Sequence, residues 1–412
     1  MKGGLAALDA ITDVVLRYRP PEKTQRTAAP APFTFWEFFS GGGMARAGLG
    51  SGWKCLFAND FDHKKSSAYR ENWKDKVLLT KDVGKLKPSD VPGKAALAWA
   101  SFPCQDLSLA GMGAGLKGDR SGTFWPFWKL MEALIEEGRG PRVMVLENVC
   151  GTLTSHGGKD FVAIADAIAG AGYKFGAVVV DAAEFVPHSR PRLFIIAVSA
   201  QTKIPPALVC KHAIPFRHTK ALVSAYNKIQ SDTKEQWVWW KMPIPPKRKT
   251  SFADLIEENP TSVKWHTPEE TKRLLNMMSA VNLKKVEAAK KDGKLHVGAI
   301  YKRTRLDEEG NKVQRAEVRF DDLAGCLRTS SGGSSRQSII VVVGNKVTSR
   351  LISSRETARL MGLPESYILP TNYNEAYHLT GDGVVVPVVR YLAGSILEPV
   401  LKAAAKKKRA TA

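Results

Sequence analysis

The sequence predicts an α/β protein built on a mostly parallel sheet with a smaller inserted domain, and three observations carry that expectation. From residue 33 to 200, short apolar runs alternate with amphipathic stretches, the pattern of strands joined by crossover helices. Gly41-Gly42-Gly43 sits directly after the first apolar run, and Asp60 and Asp82 follow the next two. Near Gln201 the alternation stops, and Pro-rich pieces with a lysine excess take over. The expected partition is a leader over 1–32, a main domain over 33–200 and 347–412, and a second domain over 201–346.

In order, strands are expected at Phe33–Phe39, Trp53–Ala58, Val77–Leu79, Ala95–Ala100, Val143–Leu146, Phe175–Val180 and Leu193–Val198, each a short apolar run. Helices are expected at Asp62–Asn72, Phe124–Glu137 and Phe161–Ala169. In the second domain a Lys-rich helical stretch covers Asn282–Lys291, and Trp237, Trp239 and Trp240 read as core residues before base-stacking ones. Ser353-Ser354-Arg355-Glu356 has the spacing of a capping box, opening a helix to Met361. Val388–Lys402 reads as the final helix.

Composition narrows the function. The 412 residues are 44% hydrophobic, enough to bury a sizeable core. No unbroken apolar run reaches about 18 residues, so no membrane span is expected. Met1 to Pro32 lacks a signal-peptide pattern and ends in an Ala/Pro/Thr-rich stretch from Thr24. The five cysteines (Cys55, Cys104, Cys150, Cys210, Cys326) are scattered, without a CxxC pair. Neither a disulfide framework nor a metal site is expected, and a reducing cytoplasm fits. Lys and Arg number 61 against 40 Asp and Glu, a net charge of +21. Residues 201–350 hold 28 of these bases against 15 acids. That excess favours a polyanionic partner, because bound bases release the counterions of phosphates. The basic tail Lys406–Arg409 adds to it, or is a solvated end.

The chemistry-bearing residues fall at the ends of the apolar runs. In Phe39-Ser40-Gly41-Gly42-Gly43 the glycines allow a tight turn and close approach of backbone amides to a ligand, although a plain glycine turn fits equally well. Asp60, roughly twenty residues on, stands where a carboxylate can bind ribose hydroxyls, and Asp82 could meet an adenine amino group. Either acid alone reads as readily as a turn residue; the three features together favour a nucleoside. Phe102-Pro103-Cys104-Gln105 puts a cysteine in the loop after the fourth run, where a thiolate would face a ligand crevice and benefit from nearby positive charge. The other four cysteines read as inert. Glu147-Asn148-Val149 follows the fifth run, where a carboxylate can act as a proton donor or cap. Arg190 and Arg192 alternate before the last run, so in an extended chain both point one way and could grip a phosphate or a base oxygen.

In order and spacing these segments resemble the DNA (cytosine-5) methyltransferase family of bacterial or phage type, over residues 33–200 and about 350–400. The resemblance implies a Rossmann-like, S-adenosyl-L-methionine-dependent sheet. It implies cofactor contacts from Phe39, Ser40, Gly41, Gly42, Gly43, Asp60, Phe61 (against the adenine), Asp82, Val83, Phe102, Pro103, Asp382 and Val384. It implies catalysis by Cys104, Glu147, Arg190 and Arg192, with Ser108 on the nucleophile loop near DNA. Arg355-Glu356, Ala358-Arg359-Leu360 and Gly362-Leu363-Pro364 resemble the element that follows target recognition, and Gly381–Pro387 the last cofactor segment. Met44, His188 and Asp382-Gly383 depart from the family's usual residues, which puts the cofactor role of Asp382 in doubt.

The implied reaction is methyl transfer to C5 of a flipped-out cytosine through a covalent Cys104–C6 adduct. Glu147 would serve N3 and the N4 amino group, and Arg192, with Arg190, O2. The domain over 201–346 would recognise the target in double-stranded DNA. Its best loop is Arg328-Thr329-Ser330-Ser331-Gly332-Gly333-Ser334-Ser335-Arg336, small residues between two arginines, although a plain connector fits nearly as well. A monomer on DNA is expected, in the bacterial cytoplasm or the host cell of a phage, with a cognate restriction endonuclease as a conceivable partner. Two alternatives are an RNA cytosine-5 methyltransferase, whose Cys-Phe-Thr signature is missing here, and a non-catalytic DNA-binding homologue, against which Cys104 and Glu147 argue. A nucleotide-using dehydrogenase would explain the glycine loop but not the later motifs.

Overall fold

The computed structural model describes residues 33–103, 124–307, 309–327 and 336–410, with side chains through 405. Cys104, Ser108, Arg328, Ser330, Gly332 and Gly333 lie outside the described residues. The chain forms two compact units. The larger takes the described residues of 26–181, 191–245 and 386–412, and the smaller those of 182–190 and 246–385.

The larger unit is organised by a seven-stranded sheet. Its strands are β1 (Phe33–Phe38), β2 (Trp53–Asp60), β3 (Leu78–Thr80), β4 (Leu97–Ala100), β5 (Val143–Val149), β6 (Tyr173–Asp181) and β7 (Pro191–Ser199). They lie in the order β3-β2-β1-β4-β5-β7-β6. Strands β1 to β5 pair in parallel, which agrees with the alternating pattern. β7 runs antiparallel to both β5 and β6. Residues 182–190 between β6 and β7 are too few for the crossover that a parallel pair needs, so the chain turns back on itself. Buried on both faces, β4 is a continuous apolar run and so is β5 as far as Leu146. Strand β5 extends beyond the expected Leu146, so that Glu147 and Asn148 belong to the strand.

Helices α1 (Met44–Leu49), α2 (His63–Trp73), α3 (Phe124–Glu136) and α4 (Lys159–Gly170) follow β1, β2, β4 and β5 in the chain. Asp62 caps α2 by accepting from the Lys64 and Lys65 amides. Against expectation, residues 201–245, with helix α5 (Lys220–Asn227), pack with this sheet. The Phe175 amide donates to the Gln236 carbonyl at 2.8 Å, and the Val238 amide returns to Phe175 at 2.7 Å. Trp237 stands edge-on to Phe161 and Phe175. Gly176 permits this approach, since a Cβ there would lie 1.8 Å from the Val238 carbonyl oxygen. Trp240 is fully buried, and half-buried Trp237 and Trp239 pack together beside Tyr226, in line with the packing role their sequence suggested.

The expected final helix forms within a continuous helical run, Val386–Leu392 and Glu398–Ala410 joined by a π-helical turn over Ala393–Leu397. Arg390 donates to the Leu49 carbonyl at the end of α1, and Trp53 Nε1 donates to Glu398. The helical run Tyr373–Ala405 is long and apolar enough to cross a membrane by composition, but 56% of its most apolar window is buried within the protein. Residues 383–385 are not helical. Val389, Leu392, Ile396 and Val400 are fully buried. It reads as a core element.

The smaller unit carries a four-stranded antiparallel sheet in the order β11-β10-β12-β13, formed by β10 (Leu295–Leu306), β11 (Lys312–Arg319), β12 (Ser338–Val343) and β13 (Lys346–Leu351); β8 (Val209–Cys210) and β9 (Trp239–Trp240) form a separate ribbon in the larger unit. Leu274 of α6 (Pro268–Asn276) and Val286 and Ala289 of α7 (Ala280–Asp292) pack on Ile300, Ala316, Val318, Ile340 and Val342. The capping box at Ser353 forms as predicted, with Glu356 closing it at the start of α8 (Ser354–Leu360).

Glu356 does more than cap. Both it and Arg350 are fully buried, and the Arg350 guanidinium donates to both Glu356 oxygens, at 2.8 and 2.5 Å. Glu356 also accepts from the amides of Glu257 and Ser353, and Arg350 reaches the Glu257 carbonyl. The Thr380 hydroxyl, on α9 (Tyr373–Asp382), donates to Thr357. These bonds bind residues 347–385 into the smaller unit, whose bounds therefore run past the expected 346. Removing one partner of a buried pair strands the other charge. Glu356→Ala is expected to destabilise the protein by about 3–5 kcal/mol, whereas exposed Glu287→Ala should cost at most about 0.5 kcal/mol. Denaturant unfolding of the two variants checks this.

Candidate active site

The glycine loop is shaped by strand β2. After β1 the chain turns through Phe39 and Gly41, both with positive φ (55° and 52°), to Gly43 at 79°. The Ser40 amide donates to the Asn59 carbonyl, and the Gly43 amide to the Ser40 carbonyl. Asp60 fixes the turn from the neighbouring strand. One carboxylate oxygen accepts the Gly41 amide at 2.7 Å, and the other accepts the Asp62 amide at 2.9 Å. Burial pushes the Asp60 carboxyl upward, with the two amides acting against the shift. A Cβ on Gly43 would fall 2.1 Å from Trp73 Nε1, so the residue must be glycine for space as well as for its φ.

The nucleoside candidates follow. Phe61, next to Asp60, is 62% exposed, unusual for a phenylalanine beside a sheet edge and suited to a flat apolar ligand. The Asn59 side-chain Nδ2 donates to the Leu79 and Lys81 carbonyls, which ties the end of β2 to β3 and sets Asp82. Asp82 is exposed and accepts the Gly84 amide at 2.7 Å; Val83 is buried beneath it. These positions and the glycine loop share one end of the parallel strands, where ligands of such sheets bind. The residues present fit an adenosyl group: a glycine turn, two acids and an exposed ring.

One residue here escaped sequence reasoning. Glu37 is 1% exposed in β1, on the strand face shared with Phe33 and Phe35. Its Oε1 accepts the Arg46 amide at 3.2 Å. Helix α1 begins at Gly43 without a capping side chain or an acid in its first turn, so Glu37 supplies the acceptor from the strand. The signal was available: a single carboxylate within Phe33-Thr34-Phe35-Trp36-Glu37-Phe38.

At the next strands the catalytic candidates meet. The Asn148 side chain, buried at the end of β5, donates to the Phe102 carbonyl at 3.1 Å. Phe102 is itself buried and packs on Phe124 of α3 at 5.4 Å. The backbone two residues before Cys104 is thus held to the strand that carries Glu147; Pro103 is exposed. In register, Val149 faces Arg192 and Glu147 faces Phe194, and Arg192 Nε lies 3.3 Å from Glu147 Oε1. Acid and base are mostly buried, with side-chain exposures of 9% and 15%.

Arg190 does not share that position. It lies outside β7, in the smaller unit, and is 3% exposed. It donates to the carbonyls of Leu327, Gly381 and Gly383 and to Cys326 Sγ. His188, fully buried, accepts the Leu327 amide and pairs with the Leu360 carbonyl. Arg190 and Arg192 thus have different partners, and only Arg192 belongs to β7, which begins at Pro191. Asp382 ends α9 and Val384 is buried after it. Gln337 donates to the Gly325 carbonyl, and the Arg336 guanidinium stands 5.5 Å from the Tyr373 ring centre. Both stems of the segment 328–335 are therefore anchored.

Two of the described cysteines, Cys55 and Cys150, have surroundings that disfavour a thiolate. Burial pushes the Cys55 thiol up to about 12, and burial also raises Cys150, against the pull of Arg192. Among the described residues no cluster of three or more His, Cys, Asp or Glu is arranged to hold a metal ion.

Comparison with known proteins gives the family. The profile of the C-5 cytosine-specific DNA methylases matches residues 33–398. The type II methyltransferase M.BsuFI of Bacillus subtilis is 24% identical over 375 residues, covering 90% of this chain and 74% of that protein. M.HpaII of Haemophilus parainfluenzae is 23% identical over 386 residues, covering 89% of each. Among solved structures, the Dnmt2 methyltransferase of S. pombe superposes with a TM-score of 0.52 at 16% identity, over 89% of this chain and 99% of that one. A triple mutant of the Spodoptera frugiperda DNMT2 gives 0.56 at 17% identity, over 90% and 99%. These two likenesses concern the fold alone. With the family profile spanning nearly the whole described chain, this protein belongs to the C-5 cytosine-specific DNA methylase family and is a DNA (cytosine-5-)-methyltransferase that uses S-adenosyl-L-methionine.

Proposed function

We propose that this enzyme methylates cytosine within a short specific sequence of double-stranded DNA, through attack of Cys104 on C6 of a flipped-out base. The observation that carries the reading is the Glu147–Arg192 pair, beside the Asn148 bond to the backbone leading into Cys104. C5 of cytosine is a poor nucleophile. Addition of the Cys104 thiolate to C6 makes C5 enamine-like. Glu147 holds a proton against N3 and accepts from the N4 amino group, which relieves the negative charge that builds on the ring. Arg192 orients Glu147 and donates to O2. Once C5 is methylated, transfer of its proton to a solvent base restores the C5–C6 double bond as the C6–S bond breaks and the Cys104 thiolate leaves. When bound, S-adenosyl-L-methionine supplies the electrophilic methyl group, held by the glycine loop, Asp60, Phe61, Asp82 and Val83. Phe39, Phe102, Pro103, Asp382 and Val384 complete the proposed set.

Flipping the base costs about a few kcal/mol, offset by contacts to the surrounding duplex. The smaller unit would supply the sequence reading, with Arg328, Ser330, Gly332, Gly333 and Arg336 on the candidate loop and Ser108 beside the nucleophile. The anchoring of Leu327 by Arg190 and His188 supports Arg190 as a positioning residue for that loop in place of a contact to the base. The enzyme would act as a monomer in the bacterial cytoplasm, or in a phage's host. The type II names of its relatives favour a cognate restriction endonuclease as partner.

Two experiments test this. Incubation with S-adenosylmethionine and unmethylated DNA of diverse sequence, followed by single-base mapping of 5-methylcytosine, should reveal one short motif. Cys104→Ala should leave no methylation and Glu147→Gln should lower turnover by about 10²–10⁴-fold. Methylation by Cys104→Ala at the wild-type rate would rule out the covalent route. Separately, Asp60→Asn puts an amide against the Gly41 or Asp62 N–H. It should weaken cofactor binding by about 5- to 150-fold, the equivalent of about 1–3 kcal/mol, as read by titration calorimetry; unchanged affinity would remove Asp60 from the cofactor site.

A further inference from the structure

Beneath the glycine loop lies a group of titratable side chains that the methyl-transfer chemistry does not use. Glu37 stands at its centre. Oε1 accepts the Arg46 amide, while Oε2 is buried without a hydrogen-bond partner. The charged and titratable groups that face it come from three directions. Arg46 is on α1, Asp60 and Cys55 are on β2, and Tyr69 is on α2. Arg46 cannot neutralise Glu37 fully, because its guanidinium is already engaged by Asp75 and the Tyr69 hydroxyl and lies 4.5 Å from the Trp73 ring centre. Asp60 adds a like charge. A carboxylate here would be a buried anion held by the Arg46 amide, with the Ala45 amide and the Arg46 charge only partly offsetting its desolvation; a carboxylic acid would accept the same Arg46 amide without burying a charge.

We propose that Glu37 is a positioning residue for the cofactor loop, working as a neutral acid that clamps the start of α1, and that its ionisation loosens the loop and lowers affinity for the cofactor. The inference rests on the glycine loop being the cofactor site. Its geometry is direct: Glu37 holds the amide of Arg46, three residues past Gly43, while Asp60 holds the amide of Gly41. The two carboxyl groups fix the two sides of one turn, and only Asp60 keeps hydrogen bonds to both of its oxygens. Burial pushes the Glu37 carboxyl up to about 8, against the opposing effect of the Arg46 and Ala45 amides and the Arg46 charge, with Asp60 reinforcing it. The transition therefore falls within the working range of pH.

The sign follows from proton linkage. The unfolded chain loses this proton near the ordinary value of 4.5, and the folded protein holds it to about 8. Folded protein binds the extra proton between these values, so this group's contribution to stability declines as pH rises through that window. If the loop is competent only in the protonated form, cofactor affinity falls above the upper limit by up to about tenfold per pH unit.

The test is binding of S-adenosylhomocysteine, which lacks the sulfonium charge, by wild type and Glu37→Gln between pH 6 and 9.5, read by titration calorimetry. Glutamine keeps the acceptor and cannot ionise. Equal affinities at pH 6, with wild type weakening above about pH 8 relative to the variant, are expected. The ligand's own amino group titrates in both proteins, so the difference between the profiles belongs to Glu37. Parallel profiles, or wild type binding relatively tighter at high pH, would overturn the proposal. Absence of binding by both proteins at every pH would overturn the cofactor reading and the proposal with it. Should Glu37→Gln not fold, carbon-13 titration of the wild-type glutamate carboxyls gives the same answer: no carboxyl with a midpoint above pH 6.5 that moves upward on adding the ligand would also overturn it.

Discussion

The arrangement of this enzyme depends on strand β5 being paired in parallel on one side and antiparallel on the other. Parallel pairing with β4 places the end of β5 beside the loop that leads to Cys104, and Asn148 fastens the two through the Phe102 carbonyl. Antiparallel pairing with β7 brings the start of a distant strand to the same end, so that Arg192 meets Glu147. A sheet parallel throughout would have left the start of β7 at the opposite end. The reversal follows from the short chain between β6 and β7, and it creates an acid–base pair that no local motif could make.

A similar logic governs the glycine loop. Carboxyl groups shape the glycine turn, and they do so through backbone amides. Asp60 uses both oxygens on amides of its own strand end and of the loop. Glu37 serves a helix whose N-terminal cap is a glycine without a capping side chain. A turn held this way keeps its amides ordered before the ligand arrives, which lowers the entropy lost on binding.

Much of this was legible in the sequence, for identifiable reasons. Asp60, Asp82 and Glu147 close apolar runs, and in parallel sheets the ends of such runs converge on one edge. The Ser353 capping box is a local hydrogen-bond pattern, so it could be read from four residues. What failed to read involved long sequence separation. Arg190 looks like the twin of Arg192, yet its partners lie at Leu327, Gly381 and Gly383. The boundary expected at 201 marked a real change in composition, but Trp237 and Gly176 keep residues 201–245 with the sheet. At the other end, the buried Arg350–Glu356 pair carries residues 347–385 into the smaller unit. Glu37 stood out as the single acid of an aromatic strand, but its role depends on the Arg46 amide of the following helix, a contact that the strand's own residues do not reveal.

The central claim is that the pair on β5 and β7 serves a base attacked by Cys104. The most direct measurement is to trap the adduct, using duplex DNA that contains the recognised motif with 5-fluorocytosine at the target. Fluorine replaces the proton whose loss expels the thiolate, so the enzyme stays attached. Peptide mass spectrometry of the trapped complex should find the methylated base bonded to Cys104, with yield lowered strongly in Arg192→Ala. An adduct on another cysteine, or full methylation with no adduct at all, would contradict the account.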